Sequence, residues 1–231
     1  RGPTGRFNAP DLLSGSAGDA ESWNRYTYAR NNPLKYVDPD GREIYAAVQH
    51  VGNIPFRGSA YHVAIVIVPR DQNRWAGHKP FTMGNERKYG TLGAGPSGVP
   101  PFLGRLESNE NRKRDANPSP DVKVEWAEVD LKGRDENEVI EDLLAADRGY
   151  QDNLNYDLFP KLGTDGYNSN SYASGLLLAV GVMPPLMSVA VPGYDKPVPA
   201  SAFGSTSLSS EEDRLRALGL KKGRNGIEPI Q

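Results

Sequence analysis

The chain of 231 residues contains no cysteine. This absence excludes disulfides, thiolate metal ligands and a cysteine nucleophile. Long hydrophobic runs are also missing: the longest, residues 63–68 and 176–182, fall far short of the roughly 20 apolar residues that span a bilayer. We therefore expect no transmembrane segment. The chain begins at Arg1 without a charged-then-apolar leader, so we expect it to be a piece of a longer protein.

An excess of positive charge is absent as well. The 27 basic and 29 acidic residues give a net charge of −2, whereas binding to a phosphate backbone draws on clustered positive charge. Nucleic acid is a disfavoured partner, and a nuclease is the weakest of the functions considered. The isolated histidines His50, His62 and His78 lack the spacing of a metal site. The glycine-rich residues 90–98 lack the Gly-Lys-Ser/Thr ending of a phosphate loop, so neither a metal nor a cofactor is expected.

Residues 1–41 differ from the rest because glycine, asparagine, aspartate and proline alternate there with aromatic residues. Their motifs resemble the end of the RHS-repeat-associated core. The motifs are Gly5-Arg6-Phe7, Pro10-Asp11, Trp23-Asn24-Arg25-Tyr26-Thr27-Tyr28, Asn31-Asn32-Pro33 and Asp38-Pro39-Asp40-Gly41.

The RHS resemblance implies a two-part organisation. In that family the core closes a large β-shell, and the segment after the Asp-Pro-x-Gly motif is a variable effector, often a toxin. Residues 42–231 would then be the effector of a secreted or cell-delivered bacterial competition protein, with the RHS shell of the parent polypeptide and an immunity protein as partners. Some relatives cut themselves near Asp38 and Asp40. Arg42 stands where the family usually has leucine, so self-cleavage stays open, as does a simple turn at residues 38–41.

The remainder predicts an α+β fold, with a small antiparallel sheet packed against helices and many loops. Enrichment in β-branched and aromatic residues predicts strands at residues 43–48 and 61–69, a short one near 80–83, and a half-exposed one at 122–131. Helical spacing of apolar residues predicts helices at residues 136–146, from residues 169–171 onward, and from Ser209 onward.

Three segments lack a regular pattern. Residues 90–98 are rich in glycine and are expected to form a loop. Residues 104–115 mix charges of both signs, which is typical of a solvated loop. The proline-rich residues 191–199 have too many fixed φ angles for a regular ladder and are expected to wrap the surface in an extended form.

The candidate chemistry lies where Asn168, Ser169, Asn170 and Ser171 precede an apolar helical stretch. A hydroxyl at a helix N-terminus is well placed as a nucleophile because backbone N–H groups there face a developing anion. Ser169 fits that position, and His62, at the start of a buried strand, is the natural general base. Asn168 or Asn170 would orient the histidine or donate to the oxyanion, with Asp165 as a further orienting candidate. Equally, the Asn/Ser run could serve only as a helix cap. His62 could then be a histidine at the end of a strand whose hydrogen bonds are only structural.

This order of histidine and nucleophile resembles the permuted papain-like group, which includes the lecithin:retinol acyltransferase-like enzymes. There an Asn-Cys-x-x-aromatic motif supplies the nucleophile, and residues 168–172 match it with serine in the cysteine position. The resemblance implies a hydrolase or acyltransferase acting on peptide, amide or ester bonds. Three interpretations of Ser169 stay open: a serine-dependent enzyme, a replaced cysteine, or a catalytically inactive module that binds a target or an immunity protein.

Overall fold

The computed structural model describes residues 44–54, 58–85, 87–98, 104–116, 122–161, 163–204, 220–223 and 226–229. It confirms the predicted α+β class, with an antiparallel sheet packed against helices. The elements are β1 (Ile44–Ile54), β2 (Gly58–Ile67), β3 (Gly90–Pro96), β4 (Leu106–Glu110), α1 (Lys113–Ala116), β5 (Val124–Glu128), α2 (Glu136–Gly149) and α3 (Ser169–Ala179). The strands lie in the order β4-β3-β2-β1-β5, and every pairing is antiparallel.

Both faces of the central strands are buried. Side chains alternate across a strand, and on β2 Val63, Ile65 and Ile67 join the main core, which includes α2 and α3. Val66 and Val68 point to the other face and join a smaller apolar cluster. Burial of both faces explains why residues 63–68 read as a continuous apolar run instead of an alternating one. His62 shares the parity of Val66, so its side chain leaves β2 on the face opposite the main core.

The sheet opens between β2 and β3 near His62. These two strands pair only over Ile65–Ile67 and Gly90–Leu92. Beyond that point β3 continues along β4, and the β3-facing edge of β2 at Tyr61 and Val63 is free for another partner. The N-terminal turn of α3 supplies that partner.

The predicted helices at 136–146 and from 169 are confirmed. Asp135 caps α2, its side chain accepting the N–H of Glu138 at 3.1 Å. One stripe of α2 is buried against the core, which is the amphipathic pattern of a surface helix. By contrast α3 is buried nearly all round, since it lies between the sheet and the segment that follows it.

The glycine-rich residues 90–98 were expected to form a loop, and this prediction is wrong. They contain β3, whose first six residues are buried. Glycine disfavours strands intrinsically, but here two neighbouring strands supply the hydrogen-bond ladder. The glycines make room for side chains from elsewhere: a Cβ on Gly95 would lie 1.7 Å from the Arg112 guanidinium.

The expected solvated loop at residues 104–115 is also wrong. It holds strand β4 and the single-turn helix α1. Exposed residues alternate with more buried ones on this edge strand, so charge composition misled the interpretation. The last residue of the stretch, Asp115, is buried.

Two further expectations need correction. Residues 80–83 form turns with an isolated bridge between Met83 and Tyr89, not a strand. The proline-rich residues 191–199 join no regular ladder, as expected, but they form turns at residues 192–195 instead of an extended segment, and several of them are buried. Val198 N–H donates to Ser171 O at 2.9 Å and the Ser171 hydroxyl donates to Gly193 O at 2.9 Å. This segment therefore covers the first turns of α3.

Several predictions fall outside the described residues. They are the RHS-like residues 1–41, the boundary at residue 42, and most of the helix expected from Ser209. Two short strands, β6 (Leu220–Gly223) and β7 (Gly226–Pro229), pair as a hairpin near the C-terminus. Within the described part of the chain, no helix combines the length and apolar character needed to cross a membrane.

Candidate active site

A buried histidine–carboxylate pair lies on the side of the sheet opposite the main core. His62 Nε2 is 2.7 Å from Asp115 Oδ1, and the two side chains are 4% and 0% exposed. A carboxylate at this distance accepts the Nε2–H. The lone pair of a neutral imidazole then lies on Nδ1, where it can take a proton from a nucleophile. The pair therefore has the form of a base and its orienting group.

Two hydrogen bonds from the sheet hold α1, the turn that carries Asp115. Gln49 faces His62 across β1 and β2, and its Nε2 donates to Arg114 O at 3.3 Å. The Tyr89 hydroxyl donates to Ala116 O at 2.7 Å. Because both carbonyls flank Asp115, these bonds fix the backbone that presents its carboxylate to His62.

Gly93 makes space for that carboxylate. A Cβ on Gly93 would lie 2.4 Å from Asp115 Oδ2 and 3.5 Å from the Ala64 Cβ. Any larger residue would push Asp115 away from β3. Asp115 Oδ2 is buried and has no hydrogen-bond partner among the described residues, so the position of Asp115 depends on Oδ1 and on the backbone of α1.

Asn168 caps the helix that carries Ser169. Its Oδ1 accepts the N–H groups of Asn170 and Ser171, both at 3.0 Å. Its Nδ2 donates to Leu158 O at 3.2 Å and Pro192 O at 2.9 Å. Asn168 does not accept the N–H of Ser169, the first residue of the helix. A backbone N–H at a helix N-terminus is a suitable donor to an oxyanion.

Asn170 joins the helix to β2. Its Oδ1 accepts Val63 N–H at 2.8 Å and its Nδ2 donates to Tyr61 O at 3.0 Å. The amide thus takes the place of a neighbouring strand at the free edge of β2, on both sides of His62. Its Nδ2 also donates to Pro192 O at 2.9 Å. These bonds set the first turn of α3 beside the histidine.

Ser169 lies in this first turn and is 6% exposed. Its only hydrogen bond among the described residues joins Oγ to Asn170 Oδ1 at 3.4 Å. That oxygen is also the acceptor of Val63 N–H, so the hydroxyl lies close to the backbone that follows His62. No hydrogen bond joins Ser169 to His62 in the described structure. The structure brings the two segments together without a direct hydrogen bond between the two side chains.

The other predicted residues have different surroundings. Asn168 and Asn170 bind backbone groups and have no hydrogen bond to the His62 ring, so they position the helix. Asp165 is exposed, and the partner of His62 is Asp115 instead. Sequence reasoning missed Asp115 because it lies in a charge-rich stretch, and the one hint was the glycine at position 93 that its carboxylate requires.

A second buried polar pair lies within the helical core. The Tyr172 hydroxyl donates to Asp147 Oδ1, joining α3 to α2. Burial raises the pKa of Asp147 to about 6, against the lowering effect of this hydrogen bond. Burial also raises the pKa of Tyr172 well above its usual value. Tyr172 matches the aromatic position of the motif at residues 168–172, and its ring contacts Tyr150 and Phe203.

No set of histidine, aspartate and glutamate side chains within the described residues could hold a metal ion. His50 lies near Asn53 and Tyr61, and His78 contacts Trp75. No protein-family model, curated protein or solved structure matches the chain. The candidate site therefore comprises His62, Asp115 and Ser169, with Asn168, Asn170, Gln49 and Gly93 as positioning residues.

Proposed function

We propose that residues 42–231 are the effector domain of an RHS polymorphic toxin and act as a His/Ser-dependent hydrolase or acyltransferase. The bond attacked is a peptide, amide or ester bond, and the arrangement is permuted papain-like. One observation carries this proposal: a buried histidine–carboxylate pair is tied, through Asn170, to the helix N-terminus that carries Ser169. A helix cap alone requires neither the histidine nor its carboxylate.

Ser169 is the nucleophile of the proposed reaction. As its Oγ attacks the carbonyl carbon of the substrate, Nδ1 of His62 takes the hydroxyl proton, while Asp115 holds the ring through Nε2. The carbonyl oxygen becomes an oxyanion and accepts the N–H of Ser169. His62 then gives its proton to the leaving amine or alcohol, and an acyl-serine remains. Water completes hydrolysis, and another acceptor completes acyl transfer.

For this reaction to occur, a hydrogen bond must form between the Ser169 hydroxyl and Nδ1 of His62. Catalytic hydrogen bonds in free enzymes are often long and shorten when substrate binds. The first turn of α3 lies at the open edge of β2 on both sides of His62. The Ser169 hydroxyl must leave Asn170 to reach the ring, and its present hydrogen bond is long and weak.

A catalytically inactive binding module is the second candidate. The absence of a Ser169–His62 hydrogen bond and the burial of both side chains favour it. In that case the polar groups only complete the packing between α3 and the sheet. Its function would be to engage a target or an immunity protein.

Expression inside bacterial cells separates these two candidates. We expect the chain to inhibit growth, and Ser169→Ala and His62→Gln to abolish inhibition. Glutamine retains an N–H donor for Asp115, so His62→Gln removes the base without leaving the carboxylate unpaired. Ser174→Ala is the matched control because Ser174 binds only carbonyls of its own helix, and this variant should stay inhibitory.

Circular dichroism of the purified variants establishes that each is folded. Inhibition that survives both Ser169→Ala and His62→Gln in folded protein would favour the binding module and contradict the hydrolase.

Delivery follows from the same family association. We propose that the domain is exported within a larger bacterial protein, enclosed by the RHS shell of the parent polypeptide, and released into a target cell. An immunity protein would protect the producing cell. Release near Asp38 and Asp40 is tested by the mass of the products after incubation of the parent protein.

A further inference from the structure

Arg112 lies beside the candidate site. A Cβ on Gly95 would lie 1.7 Å from one guanidinium nitrogen of Arg112 and 2.5 Å from its Cζ. The guanidinium therefore lies against the backbone of β3, in space that glycine alone provides. Gly95 has an ordinary strand conformation, so backbone strain does not explain why glycine stands there.

The guanidinium and the Asp115 carboxylate lie on the same face of the sheet. Gly93 and Gly95 are two residues apart on β3 and share a face, and Asp115 Oδ2 lies against Gly93 as Arg112 lies against Gly95. The two residues also belong to one turn, since Asp115 N–H donates to Arg112 O at 2.8 Å. Arg112 is thus a neighbour of the His62–Asp115 pair.

Arg112 also acts electrostatically on the segment that leads into α3. Burial raises the pKa of Tyr156, while the positive charges of Arg114 and Arg112 act to lower it. Tyr156 forms a bridge with Tyr167 just before the cap residue Asn168. The guanidinium therefore lies beside the strand face that carries His62, and its charge reaches the segment that precedes Ser169.

The charge of Arg112 has no counterion within the described residues. The described ion pairs of other arginines join Arg70 to Glu136, Arg74 to Glu141, and Arg134 to Glu138 and Asp142. Arg112 has no such pair, and Asp115 is already bound to His62. A half-buried guanidinium that makes no hydrogen bond to the described residues, and that lies against β3 beside the His62–Asp115 pair, is suited to bind an oxyanion.

We propose that Arg112 binds a carboxylate of the substrate next to the bond that Ser169 attacks, so that the substrate is an acidic peptide. This inference rests on the proposed function of the site. Guanidinium and carboxylate match in a planar, two-bond geometry. A lipid ester fits less well: the large hydrophobic side chains exposed in the described structure are Val51 on β1 and Met183 and Leu186 in the loop after α3, and these three offer little surface for acyl chains.

Two alkylating reagents test this without a known substrate. In the Ser169→Cys variant the introduced thiol is the only one in the chain, and it is reacted with neutral iodoacetamide or with iodoacetate, which carries a carboxylate. We expect Arg112→Gln to slow the iodoacetate reaction about tenfold, the loss typical of one charged contact, and to leave the iodoacetamide rate unchanged.

Two further variants sharpen the comparison. Gly95→Ala should reproduce the selective loss with iodoacetate, because its Cβ displaces the guanidinium. Arg74→Gln removes an arginine that pairs with Glu141 on α2, and it should leave both rates unchanged. Rising salt should reduce the difference between the iodoacetate and iodoacetamide rates in the protein that retains Arg112. The same change in salt should not alter that difference in Arg112→Gln.

The outcomes separate this inference from the proposed function. If Arg112→Gln leaves the ratio of iodoacetate to iodoacetamide rates unchanged while iodoacetamide reacts rapidly, the site stands and carboxylate binding by Arg112 is overturned. If the thiol of Ser169→Cys reacts with iodoacetamide no faster than the exposed thiol of Ser201→Cys, the proposed function is overturned, and carboxylate recognition is overturned with it.

Discussion

Asn170 holds the backbone of β2 on both sides of His62. It accepts Val63 N–H and donates to Tyr61 O, at 2.8 and 3.0 Å. The strand that carries the proposed base and the helix that carries the proposed nucleophile are therefore joined by one amide. Since the sheet is open at this point, no neighbouring strand could replace these bonds.

Asn170→Ala should therefore cost more than a typical polar substitution. It leaves Tyr61 O and Val63 N–H without their partners, while Pro192 O keeps its bond from Asn168, and we expect the free energy of unfolding to fall by about 2–4 kcal/mol. Urea denaturation of the two proteins measures this loss. Ser174→Ala, one turn further along α3, should change stability by less than about 0.5 kcal/mol. Equal stability of Asn170→Ala and the parent chain would contradict the proposed link.

Gly93→Ala should disable the site without touching a catalytic group. Its Cβ would meet Asp115 Oδ2 at 2.4 Å, and the carboxylate must move away from β3 and from His62. We expect growth inhibition to be lost. Asp115→Asn should have the same effect, because loss of a carboxylate that orients a catalytic histidine lowers activity on the order of 10²–10⁴-fold. For alkylation by iodoacetamide, Gly95→Ala provides the matched control, because it displaces Arg112 and leaves Asp115 in place. When each glycine variant is combined with Ser169→Cys, alkylation of the introduced thiol by iodoacetamide should slow with Gly93→Ala and stay fast with Gly95→Ala.

Asp147 should make stability depend on pH. Burial raises the pKa of Asp147 to about 6, above the unfolded value of about 3.9. The native state therefore keeps a proton that the unfolded state releases, so stability falls as pH rises between about 4 and 6. The total loss is about 3 kcal/mol.

Asp147→Asn keeps an acceptor for the Tyr172 hydroxyl and removes the titration. Urea denaturation at several pH values should show the parent chain losing stability relative to this variant over that interval. A constant difference between the two proteins from about pH 4 to about pH 6 would contradict this role.

Lys196 anchors the loop that leads into α3. Its buried ammonium donates to the carbonyls of Thr164 and Gly166 and lies 4.5 Å from the centre of the Tyr167 ring. Lys196→Met preserves the apolar stem and removes these bonds, so we expect a loss of about 1–3 kcal/mol. Trypsin should then cut faster after the exposed Lys161, detected by mass spectrometry. Unchanged cleavage kinetics would show that the loop does not depend on Lys196.

The sequence predicted the features that depend on local patterns. The apolar runs of β1 and β2, the cap at Asn168 and the spacing of α3 are local, and they placed His62 on a strand and Ser169 on a helix N-terminus. Asp115 could not be found in this way. Its burial depends on a gap at Gly93, on a helix of one turn, and on bonds from Gln49 and Tyr89, all distant in sequence.

The glycine-rich strand β3 also could not be predicted from local sequence. Its composition indicates a loop because glycine has a low intrinsic preference for strands. Strands β2 and β4 override that preference, and the absent side chains become useful because Asp115 and Arg112 occupy their space. A single sequence does not show which side chain will fill a gap that glycine leaves.

The most direct test is the pKa of a thiol at position 169. In Ser169→Cys, the pH dependence of iodoacetamide alkylation measures this pKa, with Ser201→Cys as the exposed reference. We expect the pKa of the thiol at position 169 to lie well below the usual value of about 8.5, because His62 takes the proton, and His62→Gln to remove this lowering. A thiol pKa in Ser169→Cys at or above that in Ser201→Cys, unchanged by His62→Gln, would contradict the proposed base–nucleophile pair.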